Sequence, residues 1–510
     1  MHSTSSSRRT AALRINTPIE PKPPRRRSRL IGVALIVGTI AIGVSLVATG
    51  SVPLGSKTVT ATPASHSDVT VDFGVQKATD DSAAIGVDES TYGTPSDVDD
   101  PKAQALLKKL GVGYARVALT LAAPANPASR VTCAANGCDT AIDPIAWVKM
   151  MDAAGETPIA QIPDDISAAD AAAIVKHFDG PRSGSQPVIY WVIGNEPDAA
   201  NETAATYDAR FNALYDAMKQ ADPQIKIGGP ATYGFDQSFL QQFLAQCGSR
   251  ADFVDFHFYQ APGHQTTAEL LAELSAMSTD LATLRTMINK TVPARAAAIA
   301  IHVGEWNFSA DPGTLAEYAF SGFASVLDAD LLGRILASGA DGLAWGSKNG
   351  PLSLLYGAVY PGDASSAAPA GYKSDTPMPL YEAIGMFTGQ GLFPRFGTTM
   401  VSATSVLPGI DVFASAHPDE IVLVNTNAKS ERVTVRVQSD NPQSAIVWQL
   451  HQTTPVAEPP VKKGAATSEA GNFKITLPAD SVTTMVLTAH VKPAVTSDPG
   501  DCGASTRGYL

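Results

Sequence analysis

Between residues 82 and 349 the chain repeats one pattern. A short apolar run ends in polar residues, and an amphipathic stretch follows. The runs are SAAIGVDES (82–90), GYARVALTL (113–121), TPIAQIPDD (157–165), VIYWVIGNEPD (188–198), IKIGGPATYG (225–234), ADFVDFHFYQ (251–260), AIAIHVGEWNF (298–308) and GADGLAWGSKN (339–349). Each is nearly continuously apolar, as strands buried on both faces are. The stretches PKAQALLKKLG (101–111), ATYDARFNALYDAMKQADP (205–223) and TAELLAELSAMSTDLATLRTMI (267–288) space their apolar residues at helical intervals. Eight such units predict an α/β fold, a (β/α)8 TIM barrel, over residues 80–392.

From 393 the period changes. IDVFASAH, DEIVLVNTN, ERVTVRVQ, AIVWQLHQ, FKITLP and SVTTMVLTA are short alternating runs between turn residues. They predict a C-terminal antiparallel β-sandwich over 393–490. The tail 491–510 is rich in Pro, Ser, Asp and Gly and reads as disordered.

The N-terminus follows another logic. Residues 30–49 are 20 residues without a charge. As a helix they span ~30 Å, the thickness of a bilayer core. Arg25, Arg26, Arg27 and Arg29 precede them, so the positive-inside rule predicts a cytoplasmic tail (1–29), a transmembrane anchor (30–49) and an extracellular remainder. A cleaved signal peptide, giving a secreted protein, is the alternative. Residues 50–67 read as a Ser/Thr/Pro/Ala-rich stalk. The net charge is −12, and the basic tail carries +7, so the rest carries −19. A body that acidic is a poor binder of nucleic-acid phosphates, and no nucleic-acid partner is expected. In an oxidising compartment, Cys133 and Cys138 (CAANGC) are expected to form a short-loop disulfide. Cys247 and Cys502 either pair or stay free.

A (β/α)8 barrel builds its active site at the C-terminal ends of its strands. The fourth run ends in Gly194-Asn195-Glu196-Pro197-Asp198 and the seventh in Gly304-Glu305-Trp306-Asn307. The two glutamates, 109 positions apart, would face one another across the barrel mouth. Paired carboxylates suit glycosidic bond cleavage, in which one protonates the leaving oxygen and the other attacks or activates water. No G-x-S-x-G elbow, P-loop, H-E-x-x-H or dinucleotide-binding glycine motif is present, and no His/Cys/carboxylate group has metal-ligand spacing, so no cofactor or metal is expected. His302 would lie on the opposite strand face from Glu305 and reads as structural. Asp88 and Glu89 sit at the first strand end without an assigned role, and Asp164, Asp165 and Asp198 read as solvated rim residues.

The segment Trp191-Val192-Ile193-Gly194-Asn195-Glu196-Pro197 resembles the acid/base segment of the clan A glycoside hydrolases, retaining (β/α)8 enzymes. Glu305-Trp306-Asn307 resembles the nucleophile segment of family 39 (β-xylosidase and iduronidase-like) and, less closely, family 51. The resemblance covers roughly 80–490. It implies Glu196 as general acid/base and Glu305 as nucleophile, with Asn195, Arg116, His257, Tyr259 and Trp345 lining the substrate site. Asn195 would bond the sugar 2-hydroxyl, Arg116 would keep Glu305 ionised, His257 and Tyr259 would orient Glu305 or touch sugar hydroxyls, and the Trp345 indole would stack on a sugar ring. The expectation is a membrane-anchored extracellular retaining glycoside hydrolase acting on a cell-envelope or extracellular glycan. A non-catalytic glycan-binding protein and a transglycosylase using the same two glutamates are the alternatives.

Overall fold

The computed structural model describes residues 67–79, 84–89, 100–118, 144–178, 187–259, 266–307, 309, 320–346, 348, 352–356, 372–438, 442, 444–451 and 458–488. The expected tail, anchor and most of the stalk, the Cys133–Cys138 pair, Cys502 and the segment 491–510 lie outside the described residues. Among them no helix is long and apolar enough to cross a membrane, and Cys247 is a free, buried cysteine.

Strands β2 (Ile85–Asp88), β3 (Tyr114–Ala118), β4 (Thr157–Ile162), β5 (Tyr190–Ile193), β6 (Lys226–Thr232), β7 (Phe253–Tyr259), β8 (Ala300–Asn307) and β9 (Asp341–Trp345) close a barrel in sequence order. All neighbouring pairs are parallel, including β2 with β9. These are the eight runs read from the sequence. Their continuous burial is what helices outside and packed side chains inside impose. The connecting helices carry their own stop and start chemistry. Helix α1 (Pro101–Leu110) begins at Asp100, which accepts from the backbone N–H groups of Lys102 and Ala103, and ends at Gly111 in the left-handed region (φ 73°). The long helix Thr267–Thr291 opens with a reciprocal capping box between Thr266 and Glu269.

The second sheet departs from expectation. It has nine strands, and one of them, β1 (Val69–Thr79), precedes the barrel. Strand β1 lies between β10 (Thr399–Ser405), to which it is antiparallel, and β13 (Glu431–Gln438), to which it is parallel. The sheet is therefore neither wholly C-terminal nor wholly antiparallel. Val69 and Val71 are fully buried in its core, but the second half of β1, FGVQK, is too polar and exposed to read as a strand. Strands β11 (Ile410–Ala416), β12 (Glu420–Asn425) and β17 (Ser481–Thr488) back onto the barrel helices Gly322–Ala337 and Pro379–Thr388. Gly333 leaves no room for a Cβ against the Phe413 ring, Arg334 pairs with Asp411 at 3.0 Å, and Thr484 donates to the Met386 carbonyl at 2.8 Å. With the barrel on one face and the sheet core on the other, β12 is buried at every position.

Candidate active site

Inside the barrel, side chains stack in layers along alternate residues of each strand. The lower layers are apolar and aromatic: Tyr114, Ile159, Val192, Ala231, Phe253 and Leu343. Two residues further along their strands, Tyr114, Ile159 and Phe253 give way to Arg116, Gln161 and Asp255. The upper layer is therefore charged, and it carries the two glutamates.

Glu196 stands just beyond β5. Its backbone is left-handed (φ 49°), an uncommon state for a residue with a Cβ, and it follows Gly194 at φ 84°. This turn is tied to the next strand, because Glu196 N donates to the Ala231 carbonyl at 2.7 Å. Glu305 lies near the end of β8. The strand bulges at Gly304, so that Val303 pairs with Phe256 but Glu305 pairs with His257. A Cβ at Gly304 would fall 2.2 Å from Asp255 Oδ1, which instead accepts from Gly304 N at 3.0 Å. The bulge also corrects the expected facing. His302 stacks on Phe253 inside the barrel (4.1 Å between centroids, 13° between planes), so His302 and Glu305 share the interior although they are three residues apart. His302 remains structural, bonded to Asp341 at 3.0 Å.

Arg116 organises the upper layer. Its Nη1 lies 3.5 Å from Glu305 Oε1, 3.1 Å from His257 Nε2 and 2.9 Å from the Gly304 carbonyl, to which it donates. Nη2 donates to Asn195 Oδ1 (2.8 Å) and Gln161 Oε1 (2.9 Å), and Nε lies 3.5 Å from Asp88 Oδ2. A guanidinium whose fork is filled in this way, in a side chain wholly closed to solvent, is committed to holding the Glu305 carboxyl and its neighbours in place. His257 is equally sealed. Its Nδ1 lies 2.8 Å from Glu196 Oε1 and 3.4 Å from Glu305 Oε2. Tyr259 donates to Glu305 Oε2 at 2.6 Å. Asn195, half-buried, commits its carbonyl to Arg116. Trp345 is nearly buried at the end of β9, and its carbonyl accepts from Asn307 Nδ2 at 2.9 Å. The two tryptophans that flank the glutamates in sequence, Trp191 and Trp306, are fully buried in the packing between barrel and helices.

The electrostatics reverse one expectation. Burial pushes the Glu305 carboxyl up to about 7, although His257 and Arg116 pull the other way. Even two neighbouring cationic groups do not outweigh complete desolvation with Asp88 and Glu196 also close by. Burial disfavours the charged His257 ring, but Glu305 and Glu196 together raise its pKa above the ordinary value. Glu305 and His257 thus shift one another's protonation through direct charge contact. One ligand atom from each of Glu196, His257 and Glu305 lies within 4.8 Å of the others, so among the described residues this trio alone is dense enough to hold a cation. Arg116, beside two of the three, already supplies positive charge there.

Sequence reading missed Gln161 and Asp255, which orient Arg116 and the β8 bulge. It assigned no role to Asp88, which faces Arg116. Asp198, read as a solvated rim residue, accepts from Tyr233 N at 2.9 Å. Asp164 bonds Arg210 at 3.0 Å. The strand-end position of each was visible, but a partner supplied by another strand was not.

Residues 171–350 match the family model described as glycosyl hydrolases family 39. That segment holds Asn195, Glu196, His257, Tyr259, Glu305 and Trp345 but not Arg116. A β-xylosidase of Geobacillus stearothermophilus is 29% identical over 185 residues, which cover 33% of this chain and 35% of that protein. The chain thus matches about a third of the length of that curated relative. Among solved structures, an α-L-arabinofuranosidase from Thermotoga maritima superposes with a TM-score of 0.64 at 16% identity, over 82% of this chain and 99% of the other. A family 51 arabinofuranosidase from Xanthomonas axonopodis pv. citri gives 0.65 at 14%, over 83% and 100%. A family 30 endoxylanase from Clostridium papyrosolvens gives 0.57 at 16%, over 83% and 100%. Identities that low establish the fold. The chain is thus a barrel-plus-sheet protein like the clan A glycoside hydrolases, and over the segment that holds both glutamates it resembles family 39.

Proposed function

We propose that this protein is a retaining glycoside hydrolase in which Glu305 is the nucleophile and Glu196 the general acid/base. The observation that carries the reading is the spacing of the two carboxylates: an oxygen of each lies within 4.8 Å of the other. Retaining enzymes hold the pair ~5–5.5 Å apart, and a wider gap is needed to seat an attacking water. Glu305 suits attack because Arg116, His257 and Tyr259 fix it from three sides. Glu196 suits proton transfer because its side chain, 24% exposed against 6% for Glu305, is the one open to a leaving group and to water.

In the first step the Glu305 carboxylate bonds to the anomeric carbon, and the glycosidic C–O bond breaks as Glu196 gives its proton to the departing oxygen. In the second, Glu196 takes a proton from water, whose oxygen displaces Glu305 and restores the anomer of the substrate. A pentosidic bond is the first candidate substrate, since the relatives are named for xylosidase, arabinofuranosidase and xylanase activities. Tethering by residues 30–49 would place the barrel outside the cell, within reach of an envelope glycan.

The test is hydrolysis of aryl glycosides of xylose, arabinofuranose, glucose and a uronic acid, with the first-formed anomer read by NMR. Turnover with retention is expected. Inversion, or no turnover of any glycoside, overturns the reading. Transfer to an added sugar in preference to water would favour the transglycosylase alternative. Membrane fractionation with external protease tests the anchor separately.

A further inference from the structure

One aromatic at the barrel mouth has no part in the cluster described above. Tyr233 follows directly on β6, and 48% of it is exposed; among the described residues it is the one large aromatic in that class. An aromatic ring left in water at the rim of a polar cleft is apolar surface still to be buried.

Its position is fixed by the catalytic loop. Asp198, two residues beyond Glu196, accepts from Tyr233 N at 2.9 Å, and Glu196 N donates to Ala231, two residues before Tyr233. Both contacts join the turn after β5 to the end of β6 and the residue that follows it. Glu196 and Ala231 each hold a left-handed backbone (φ 49° and 55°), and these local costs persist only where surrounding contacts impose them. The phenol is raised above its ordinary range by burial first and by the Glu196 charge second, so the ring lies within the field of that carboxylate. The groups that bond Glu305, namely Arg116, His257 and Tyr259, belong to β3 and β7. Tyr233 stands just beyond β6, the strand next to β5, which leads into Glu196.

We propose that Tyr233 is the stacking platform of a leaving-group subsite that takes a sugar ring. This inference rests on the hydrolase reading, in which Glu196 protonates the departing oxygen. What lies beside Glu196 on the open side meets the departing group. A pyranose or furanose offers a C–H face that packs on a phenol ring while its hydroxyls stay in water. The natural bond is then one between two sugars.

The experiment compares wild type, Tyr233→Phe and Tyr233→Ala on two substrates of one glycone. These are its methyl glycoside and its disaccharide, beginning with methyl β-D-xylopyranoside and 1,4-β-xylobiose and moving to whichever glycone the aryl panel identifies. The two leaving alcohols need the same proton, but only the disaccharide brings a ring to the subsite. Tyr233→Ala should lower kcat/KM on the disaccharide roughly tenfold, the loss set by about 1.4 kcal/mol of stacking, and leave the methyl glycoside within about twofold. Tyr233→Phe should retain most of the wild-type preference, since the face and not the hydroxyl is used. Equal losses on both substrates, or none on either, overturn the subsite while the hydrolase reading stands. Absence of wild-type turnover on every glycone overturns both.

Discussion

The two ends of the barrel interior are built from the same residue types and balanced in opposite ways. At the floor, Asp252 lies within 4 Å of three cations: Lys219 (3.5 Å), Arg295 (3.6 Å) and Lys226 (3.8 Å). Nearby, His302 pairs with Asp341 and stacks on Phe253, and a cavity of about 280 Å³ opens between these groups and Tyr190. There one carboxylate has a surplus of positive charge. At the mouth, Arg116 and His257 face three carboxylates, Asp88, Glu196 and Glu305. At the floor three cations surround one carboxylate, whereas at the mouth burial, with Asp88 and Glu196 adding to it, lifts Glu305 to about 7. Charge pairing in excess stabilises; a deficit leaves a group that titrates where chemistry runs. The cavity at the floor, though well formed, therefore lacks the reactive groups that the mouth has.

The strongest test of this contrast removes the glutamates. Glu305→Ala should lower kcat on the order of 10⁴-fold on every substrate, because no covalent ester can form. Glu196→Ala should keep its first step on a dinitrophenyl glycoside, whose leaving group needs no proton, and then stall. Azide should rescue it by entering the space of the lost carboxylate, with retention of the anomer. Azide rescue at 305 should instead invert it. The reverse pairing would exchange the two roles.

Next comes the cation. Arg116→Gln should cost about 10²–10³-fold in kcat/KM, since it removes a fixed charge beside the reacting carboxylate. It should also move the pH profile. Glu305 attacks only when ionised, so kcat/KM should rise with pH through about 7 in the wild type. Loss of the guanidinium raises that carboxyl further, and the acidic limb should shift to higher pH. An unmoved limb would mean that burial alone sets the titration.

Much of this was legible before any coordinates. The eight strands and both glutamates follow from where apolar runs end, because a barrel turns strand ends into a site, whereas Arg116, Asn195, His257 and Tyr259 came from the resemblance to the clan A enzymes. Partners across strands were not legible. Gln161 and Asp255 occupy ordinary strand positions, and only closure of the barrel brings them to Arg116 and Gly304. The β8 bulge breaks the two-residue period on which the facing of His302 had been argued. Strand β1 escaped because its ladder partners lie 320 or more residues downstream. The sign of the Glu305 shift needed burial, which no sequence motif carries.

A third environment sharpens the comparison. Glu420 opens β12 at the junction of sheet and barrel, fully buried, with no hydrogen-bond partner for either carboxyl oxygen among the described residues. It has neither the surplus of the floor nor the partial pairing of the mouth, and burial raises it to about 9. The folded state thus keeps this proton after the unfolded chain has lost it. Stability should fall as pH rises from about 4.5 toward 9, with the cost fully present above 9. Glu420→Met should stabilise the protein by roughly 1–3 kcal/mol at pH 9, and the gain should shrink toward about pH 4, below the unfolded value, where the wild-type carboxyl is mostly protonated in both states. Urea midpoints at the two pH values decide it; an equal gain at both would show that the site does not titrate.

The smallest expected effect lies at the floor. Asp252 bonds the Ile227 N–H at 3.0 Å as well as facing its three cations. Asp252→Asn can keep that hydrogen bond through its carbonyl, so the change isolates the charge. Lys219, Arg295 and Lys226 are all partly exposed, with side chains 23%, 32% and 51% accessible, so water screens much of the attraction. The loss should be about 1 kcal/mol, and weaker in high salt. Lys219, which also donates to the Ile225 carbonyl at 2.5 Å, keeps one partner in the variant. Because the apolar layer of Tyr114, Ile159, Val192 and Phe253 separates floor from mouth, kcat/KM and the position of its acidic limb should stay at wild-type values. A shifted limb in Asp252→Asn would mean that the field of the floor reaches Glu305, and the two ends would then have to be treated as one electrostatic unit.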